Sequence, residues 1–505
     1  MTHADTAHLA AVLGALGAVL VLIPRHRLAV LGGFALLVAA EAGLAIAGSG
    51  GVHLGRLGSP AKLALVILGL LVLAAIAALF VRRPAWVTPA LLAAAPFRLP
   101  LDVNTHHRFF FAVAPEGELG RLLPLYFVLT AAAGALAYRL VRGEEPRGLP
   151  RELAVPAGGF LALASLSLLW TEDLSKGRGL LAFFLLPFAA LVAVVARAHF
   201  ARWLPRVLAI IAIALASLFA IVGLVEEATH HVFFFASNLE VANSYASFFR
   251  VTSLFRDPSL YGRHLVLGIA VLLVILWLRK IALPLAAALI ALLWAGLFFS
   301  YSQSSMAALF LVTLAITAVA GDRGARRIVI VAAVAVALAG AGLVTAAAVH
   351  HSARRATSDR SRRIEQTARV YADHPFAGVG LGAQPKATQK QAKRYAPETR
   401  FVSHTTPLTV AAELGTIGLL AYLALLAGAV KMVEAVRRRD KALGLTLGAA
   451  LLALFVHSLF YSGFFEDPIT WFVLGLGASY LATQPAEAAE SAATLGRRRA
   501  FAVTR

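Results

Sequence analysis

The chain has no cysteine and only three methionines in 505 residues. Without thiols, no disulfide braces an extracytoplasmic loop, and neither a thiolate nucleophile nor a cysteine metal site is possible. Charge is scarce too: 14% of residues are Asp, Glu, Lys or Arg, where a soluble domain carries about 25%. Acidic residues are the rarer sign, 26 against 46 basic ones, which leaves a formal charge of +20. HExxH, the P-loop and GxSxG do not occur, which removes the commonest zinc-hydrolase, nucleotide-binding and serine-hydrolase signatures.

What the chain has instead is apolar residues, 60% of the total, with a mean hydropathy of +0.79. Apolar runs near 20 residues recur along its length, each able to cross a hydrocarbon core of roughly 30 Å as a helix. Backbone groups cannot stay unpaired in lipid, so helices are the default. The sequence predicts an all-α, polytopic transmembrane helical bundle. Spans are expected near 7–24, 28–47, 62–81, 84–99, 121–141, 152–170, 177–196, 203–224, 260–278, 281–300, 303–320, 327–349, 405–430, 443–462 and 468–484, about 12–15 in all. MTHADTAHLA lacks a basic n-region, so the first span is expected to be retained.

The connections divide by charge. PRHR (24–27), VRRP (81–84), RGEEPRGLPRE (142–152), ARAHFARW (196–203), LRK (278–280), GDRGARR (321–327) and KMVEAVRRRDK (431–441) are all rich in Arg or Lys and are placed in the cytoplasm. Much of the net charge is therefore topological, and no nucleic-acid partner is implied. The organisation expected is N-terminal transmembrane helices over 1–224, an extracytoplasmic loop over 225–259, and central helices over 260–349. A long basic extracytoplasmic loop follows over 350–404, then C-terminal helices over 405–484 and a disordered cytoplasmic tail over 485–505. The 350–404 loop departs from the positive-inside pattern, with eleven basic residues against four acidic ones. Such a surface suits an anionic ligand or anionic headgroups.

Its arginines fit phosphate, because the guanidinium makes paired, charge-assisted hydrogen bonds and keeps its proton. SDRSRRIEQTARVYADHP (358–375) reads as a short amphipathic helix in which Arg362 and Arg369 share one face and Arg360 and Arg363 another. The alternative is a peripheral helix on lipid headgroups. SFFRVTSLFRDPSLYGRHL adds Arg250, Arg256, Arg263 and His264 near an interface, where an ionisable group is either functional or a snorkelling side chain. His404, in VSHTTPLTVAAELG, stands one step before an apolar helix pattern with Pro407 near its start. An imidazole of ordinary pKa near 6.5 suits a general base; an interfacial histidine with no task is the alternative. Glu413, inside the apolar run, is expected to orient His404 or pair with an arginine. GVGLG (378–382) follows no strand and reads as a turn that brings backbone to the membrane core. EEATHH (226–231) has metal-compatible spacing that also stabilises a helix. SYSQSS (300–305) packs helices or binds a sugar.

Three of these segments, in this order, resemble motifs of the O-antigen ligase and O-antigen polymerase superfamily. RVTSLFRDPSLYGRHL resembles its arginine-to-"DPN" element, SDRSRRIEQTARVYADHPFAGVGLG its "GR … hPxxGvGxG" loop, and VSHTTPLTVAAELGTIGLLAY its "HNxxLxxxxExGxxG" signature. The resemblance covers roughly 235–480; Thr405, Ser259 and Ser305 depart from its usual asparagines and arginine. It implies a metal-independent, cofactor-free membrane glycosyltransferase, working on the extracytoplasmic side of the plasma (inner) membrane. That enzyme would move a glycan from a polyprenyl (undecaprenyl) diphosphate carrier to a lipid or glycan acceptor, with inversion. His404 then matches the histidine that activates the acceptor and Arg360 the loop arginine, with Arg363 as second choice. Arg250, Arg256, Arg362 and Arg363 face the diphosphate, and Glu413 supports. A polymerase differs only in acceptor. A polyprenyl-linked glycan transporter or flippase would instead want mid-membrane charges and symmetric broken helices, and a non-catalytic assembly protein would want neither.

Overall fold

The computed structural model describes residues 2–49, 60–97, 122–233, 239, 243–244, 248–255, 257–278, 280–321, 323–327, 329–331, 334, 360–392, 402–461 and 463–483. Among the described residues there is no strand. Ten helices among the described residues are long and apolar enough to cross a bilayer: His3–Leu22 (α1), Arg27–Gly48 (within α2, Arg27–Ser49), Leu123–Val141 (α5), Arg151–Leu169, Leu174–Arg197, Leu204–Thr229 (α9), Pro258–Trp277 (α10), Gln303–Ala320 (α12), Thr406–Arg439 (α15) and Lys441–Phe460 (α16). Arg151–Leu169 is α6 (Arg151–Leu166) with a closing 3-10 turn, and Leu174–Arg197 joins α7 (Leu174–Leu180) to α8 (Leu186–Arg197) through a π turn. Two shorter apolar helices, Leu283–Phe299 (α11) and Pro468–Thr483 (α17), complete the set. The chain is a multi-pass membrane protein.

The 84–99 segment does not form a span of its own. Its helix, Val87–Ala94 (α4), turns by 115° from the preceding Val66–Arg82 stretch of α3 (Pro60–Arg82). Pro84 and Pro89 account for this, since neither has an N–H for a continuous ladder. The spans expected at 327–349 and the tail from 485 lie largely or wholly outside the described residues.

The helices bury side chains in two neighbouring clusters. One gathers α1, α2, α5, α6, α8, α15 and α17 around residues such as Leu22, Phe160, Phe188, Tyr422 and Trp471. The other gathers α9 to α12 and α16 around Phe219, Tyr261, Leu293 and Val312. Large apolar residues also face outward along the spans, among them Leu70, Leu71, Ile210, Leu420 and Val430. That pattern is unfavourable in water and natural against acyl chains.

Two short helices, Arg360–Asp373 (α13) and Gln384–Gln391 (α14), lie between α12 and α15. α13 is amphipathic as its sequence predicts: Thr367 and Val370 are buried, while Arg362, Glu365 and Arg369 face out. With Val379, Ala383, Ala387 and Ala412, Val370 forms a small third core that holds this insertion to α15.

Candidate active site

The insertion meets the membrane helices at one break. α15 is interrupted at Gly415, whose φ of 66° and ψ of −166° are not helical. A break inside a span strands backbone groups that lipid cannot satisfy. Here the 375–380 segment satisfies them. In an unbroken helix the Ala412 carbonyl would accept from Thr416 and the Glu413 carbonyl from Ile417. Instead the N–H groups of Val379 and Gly380 donate to those carbonyls at 3.0 and 2.8 Å. The N–H groups of Thr416 and Ile417 donate to the Pro375 and Phe376 carbonyls at 2.7 and 3.4 Å. A side chain at Gly415 would strike the Phe376 carbonyl, so only glycine provides both the dihedral and the space. The Tyr371 and Thr416 hydroxyls, 2.8 Å apart, bind the same junction from α13.

The far side of the glycine turn docks on the end of α6. Glu172 N–H donates to the Val379 carbonyl at 3.0 Å, and the Thr171 hydroxyl to the Leu381 carbonyl at 2.9 Å. The Trp170 indole donates to the Ala377 carbonyl at 3.2 Å. Gly380, at φ 88°, presses on the Thr171 backbone where a side chain would not fit. GVGLG is thus a wedge between two membrane helices, as a backbone-approach turn requires.

This junction settles where Glu413 points. Its carboxylate is buried and accepts from the Gln384 N–H at 3.4 Å. Among the described residues no hydrogen bond or ion pair joins it to His404 or to an arginine, contrary to the sequence expectation. The physical reason is that the inserted loop packs on this turn of α15, with Gly380 N–H on the Glu413 carbonyl and Gln384 N–H on its carboxylate. Glu413 also lines a narrow cavity of about 70 Å³ with Thr406, Thr409 and Glu466.

His404 lies just before α15, where Thr405 holds the N-cap position without a side-chain bond and Pro407 occupies the first turn. Its φ of 51° is left-handed, uncommon for a residue with a side chain. That backbone turns the imidazole toward α13, where Nε2 meets Nη1 of Arg363. A guanidinium has donors only, so Nε2 is the acceptor in this contact. The loop arginine against the histidine is therefore Arg363. Arg360 opens α13, and its side chain lies outside the description. Arg362, next in sequence to Arg363, is exposed on another face of the helix.

On its other side the His404 ring lies 6.2 Å from Tyr461, at 31°. The Tyr461 hydroxyl donates to Asp257 Oδ2 at 2.9 Å. Asp257 caps α10 through the N–H groups of Ser259 and Leu260 at 2.7 and 3.0 Å. Arg250 belongs to the same neighbourhood. Burial pulls its guanidinium below the ordinary arginine range, and the Asp257 charge partly offsets that; it stays a cation. Its Nε donates to the Ser300 carbonyl at 3.3 Å, and the Asn243 amide clamps its backbone with two bonds of 3.0 Å. Contacts thus run from Asp257 through Tyr461 to His404 and Arg363, and the Arg250 charge acts on Asp257. Arg256 lies outside the described residues.

Other singled-out residues prove structural. Arg263 neither snorkels nor faces a ligand: it is buried and paired with Asp467 at 2.9 Å. His264 donates through Nδ1 to the Leu260 carbonyl, 2.8 Å away, and stacks on Phe255. Glu226 accepts from the backbone of Phe233, Thr252 and Ser253 at 2.7–3.0 Å, so it folds the 225–255 loop. Among the described residues no cluster of three or more His, Asp or Glu is placed to hold a metal ion. Ser302 caps α12, and Ser304 reaches His457 Nε2 at 3.2 Å. His457 Nε2 also donates to the Ser259 carbonyl at 3.1 Å.

Residues 286–423 match the family model described as O-antigen ligase. Over this part the chain is similar to the O-antigen ligase family. The match starts within α11, takes in α12, the α13 arginines, the glycine wedge and His404, and ends past the Gly415 break. Asp257 and Tyr461 lie outside it and complete the same cluster, and Arg250, also outside it, acts on Asp257 through its charge. No curated protein matches the chain.

Proposed function

We propose that this O-antigen ligase-family protein is a glycosyltransferase that moves a glycan from a polyprenyl diphosphate carrier to a lipid or glycan acceptor. His404 is the base, and Arg363 and Arg250 are the diphosphate ligands. The observation that carries this reading is the pairing of His404 with Arg363 at the mouth of the broken span. It sets the one histidine of the matched signature beside a cation suited to phosphate.

At rest Arg363 occupies the Nε2 lone pair that a base needs. A diphosphate is a stronger partner for a guanidinium than a neutral imidazole. Donor binding draws Arg363 onto the phosphates and frees Nε2. The acceptor hydroxyl then attacks the anomeric carbon from the face opposite the diphosphate. The new C–O bond forms as the bond to phosphate breaks, the electron pair leaves with the polyprenyl diphosphate, and the hydroxyl proton passes to Nε2. Arg363 and Arg250 stabilise the departing charge, each at a scale of about 10²–10³ in rate. Configuration at the anomeric carbon inverts. Arg360 and Arg256, near these two arginines in sequence, are further candidate diphosphate ligands, as is Arg362 for the glycan or headgroup side. The working face is extracytoplasmic and the membrane is the plasma membrane, supported by the basic character of the connections at the opposite end of the bundle.

The test is reconstitution of the purified chain in liposomes with a polyprenyl-diphosphate glycan and either a lipid or a glycan acceptor. Formation of a new glycosidic bond with stoichiometric release of polyprenyl diphosphate supports transfer, and the acceptor used separates ligation from polymerisation. Movement of the intact donor between leaflets without bond formation would identify a flippase and overturn this reading.

A further inference from the structure

A second cavity lies away from the site just described. It is far larger, about 860 Å³, and it is lined by α9, α10, α16 and α17. Its walls are apolar, with Ile213, Val271, Val274, Leu447, Phe472 and Val473 among them. It rises as far as His264, on the second turn of α10. Its lower mouth carries Arg202, Arg206 and Lys280, with Asp440 as the single acidic residue there.

That mouth is at the end of the bundle opposite His404. α15 begins beside His404 and ends at Asp440, and α10 runs from near His264 down toward Lys280, roughly 25 Å lower by helical rise. The depth is marked by an aromatic pair: Trp203, next to Arg202, and Trp86 lie 5.6 Å apart. Both are substantially exposed. Tryptophans of this kind sit at the headgroup level of a bilayer. Asp440 is engaged in capping α16 through the Leu443 N–H at 3.0 Å. Among the described residues, none of the three basic side chains is held in an ion pair.

We propose that this groove is a binding site for an anionic glycerophospholipid of the leaflet opposite the candidate active site. The acyl chains lie along α9, α10 and α17, and the phosphate rests among Arg202, Arg206 and Lys280. A volume in the range of built ligand sites, apolar walls and cations at headgroup depth are the three features such a lipid needs. The donor's diphosphate has no place there, because its ligands are at the other end of the molecule.

The experiment exposes the purified full-length chain to equal amounts of phosphatidylglycerol and phosphatidylcholine. Native mass spectrometry reads retained lipid, and thermal unfolding reads the midpoint. Wild type is expected to retain phosphatidylglycerol preferentially and to unfold at a higher midpoint with it. The Arg202→Gln/Arg206→Gln/Lys280→Gln variant is expected to lose that preference by on the order of tenfold or more, with an unchanged lipid-free midpoint. If the triple variant does not fold, Arg206→Gln alone gives the same comparison. Ile213→Trp, which fills the groove, is expected to retain neither lipid. Equal retention of the two lipids by wild type, or an undiminished preference in the charge variants, overturns the proposal. So does displacement of phosphatidylglycerol by polyprenyl phosphate, which would assign the groove to the carrier.

Discussion

At the residue scale, His404 differs from its neighbours in backbone as much as in side chain. A left-handed φ before a helix orients the imidazole toward α13 rather than into the span. Truncating it to alanine is expected to lower transfer by about 10²–10⁴, the range for loss of a general base, with the unfolding midpoint preserved. Glu413 is expected to behave differently. Glu413→Gln keeps an acceptor for the Gln384 N–H and should leave transfer within severalfold of wild type. A loss as deep as that of His404→Ala would contradict the loop-anchoring role assigned here. Sequence alone made both residues visible but not their relation. The nine-residue spacing from 404 to 413 assumes a shared helical face, whereas His404 stands before the helix in a left-handed turn that sends its ring to α13. Tyr461 and Asp257 were not legible as site residues. One lies in a short connection without a motif, and the other reads as a helix cap, which it also is.

At the element scale, the broken helix and the 375–384 loop are one unit, since each supplies the hydrogen bonds the other lacks. Gly415→Ala forces a side chain against the Phe376 carbonyl at a dihedral that alanine resists. It is expected to destabilise by roughly 1–3 kcal/mol and to reduce transfer although it touches no reacting group. Thermal unfolding in detergent beside the transfer assay checks this; an unchanged midpoint would mean that the break is not held by the loop. The span pattern was legible because apolar run length is all a membrane helix must announce. The break was not, because a glycine in an apolar run reads equally well as a helix-packing residue. The bent α3–α4 pair was hidden for a similar reason, as proline interrupts a helix without interrupting its hydropathy.

At the scale of the whole molecule, the site joins pieces from both helix clusters, so its geometry depends on how α10 is held to the α16–α17 connection. The buried Arg263–Asp467 pair is the polar fastening at that seam. Arg263→Ala leaves Asp467 buried and unpaired and is expected to cost about 3–5 kcal/mol. Arg263→Met with Asp467→Leu should recover most of that loss. Failure of the double variant to recover would show that the charges themselves, rather than their pairing, are required. The measurement that tests the central claim most directly separates binding from chemistry. Wild type, Arg363→Ala and His404→Ala are each given a labelled polyprenyl-diphosphate glycan, and bound donor and transferred glycan are read in the same sample. His404→Ala is expected to bind donor without transferring it, while Arg363→Ala is deficient in binding. Transfer by His404→Ala at the wild-type rate would contradict the central claim.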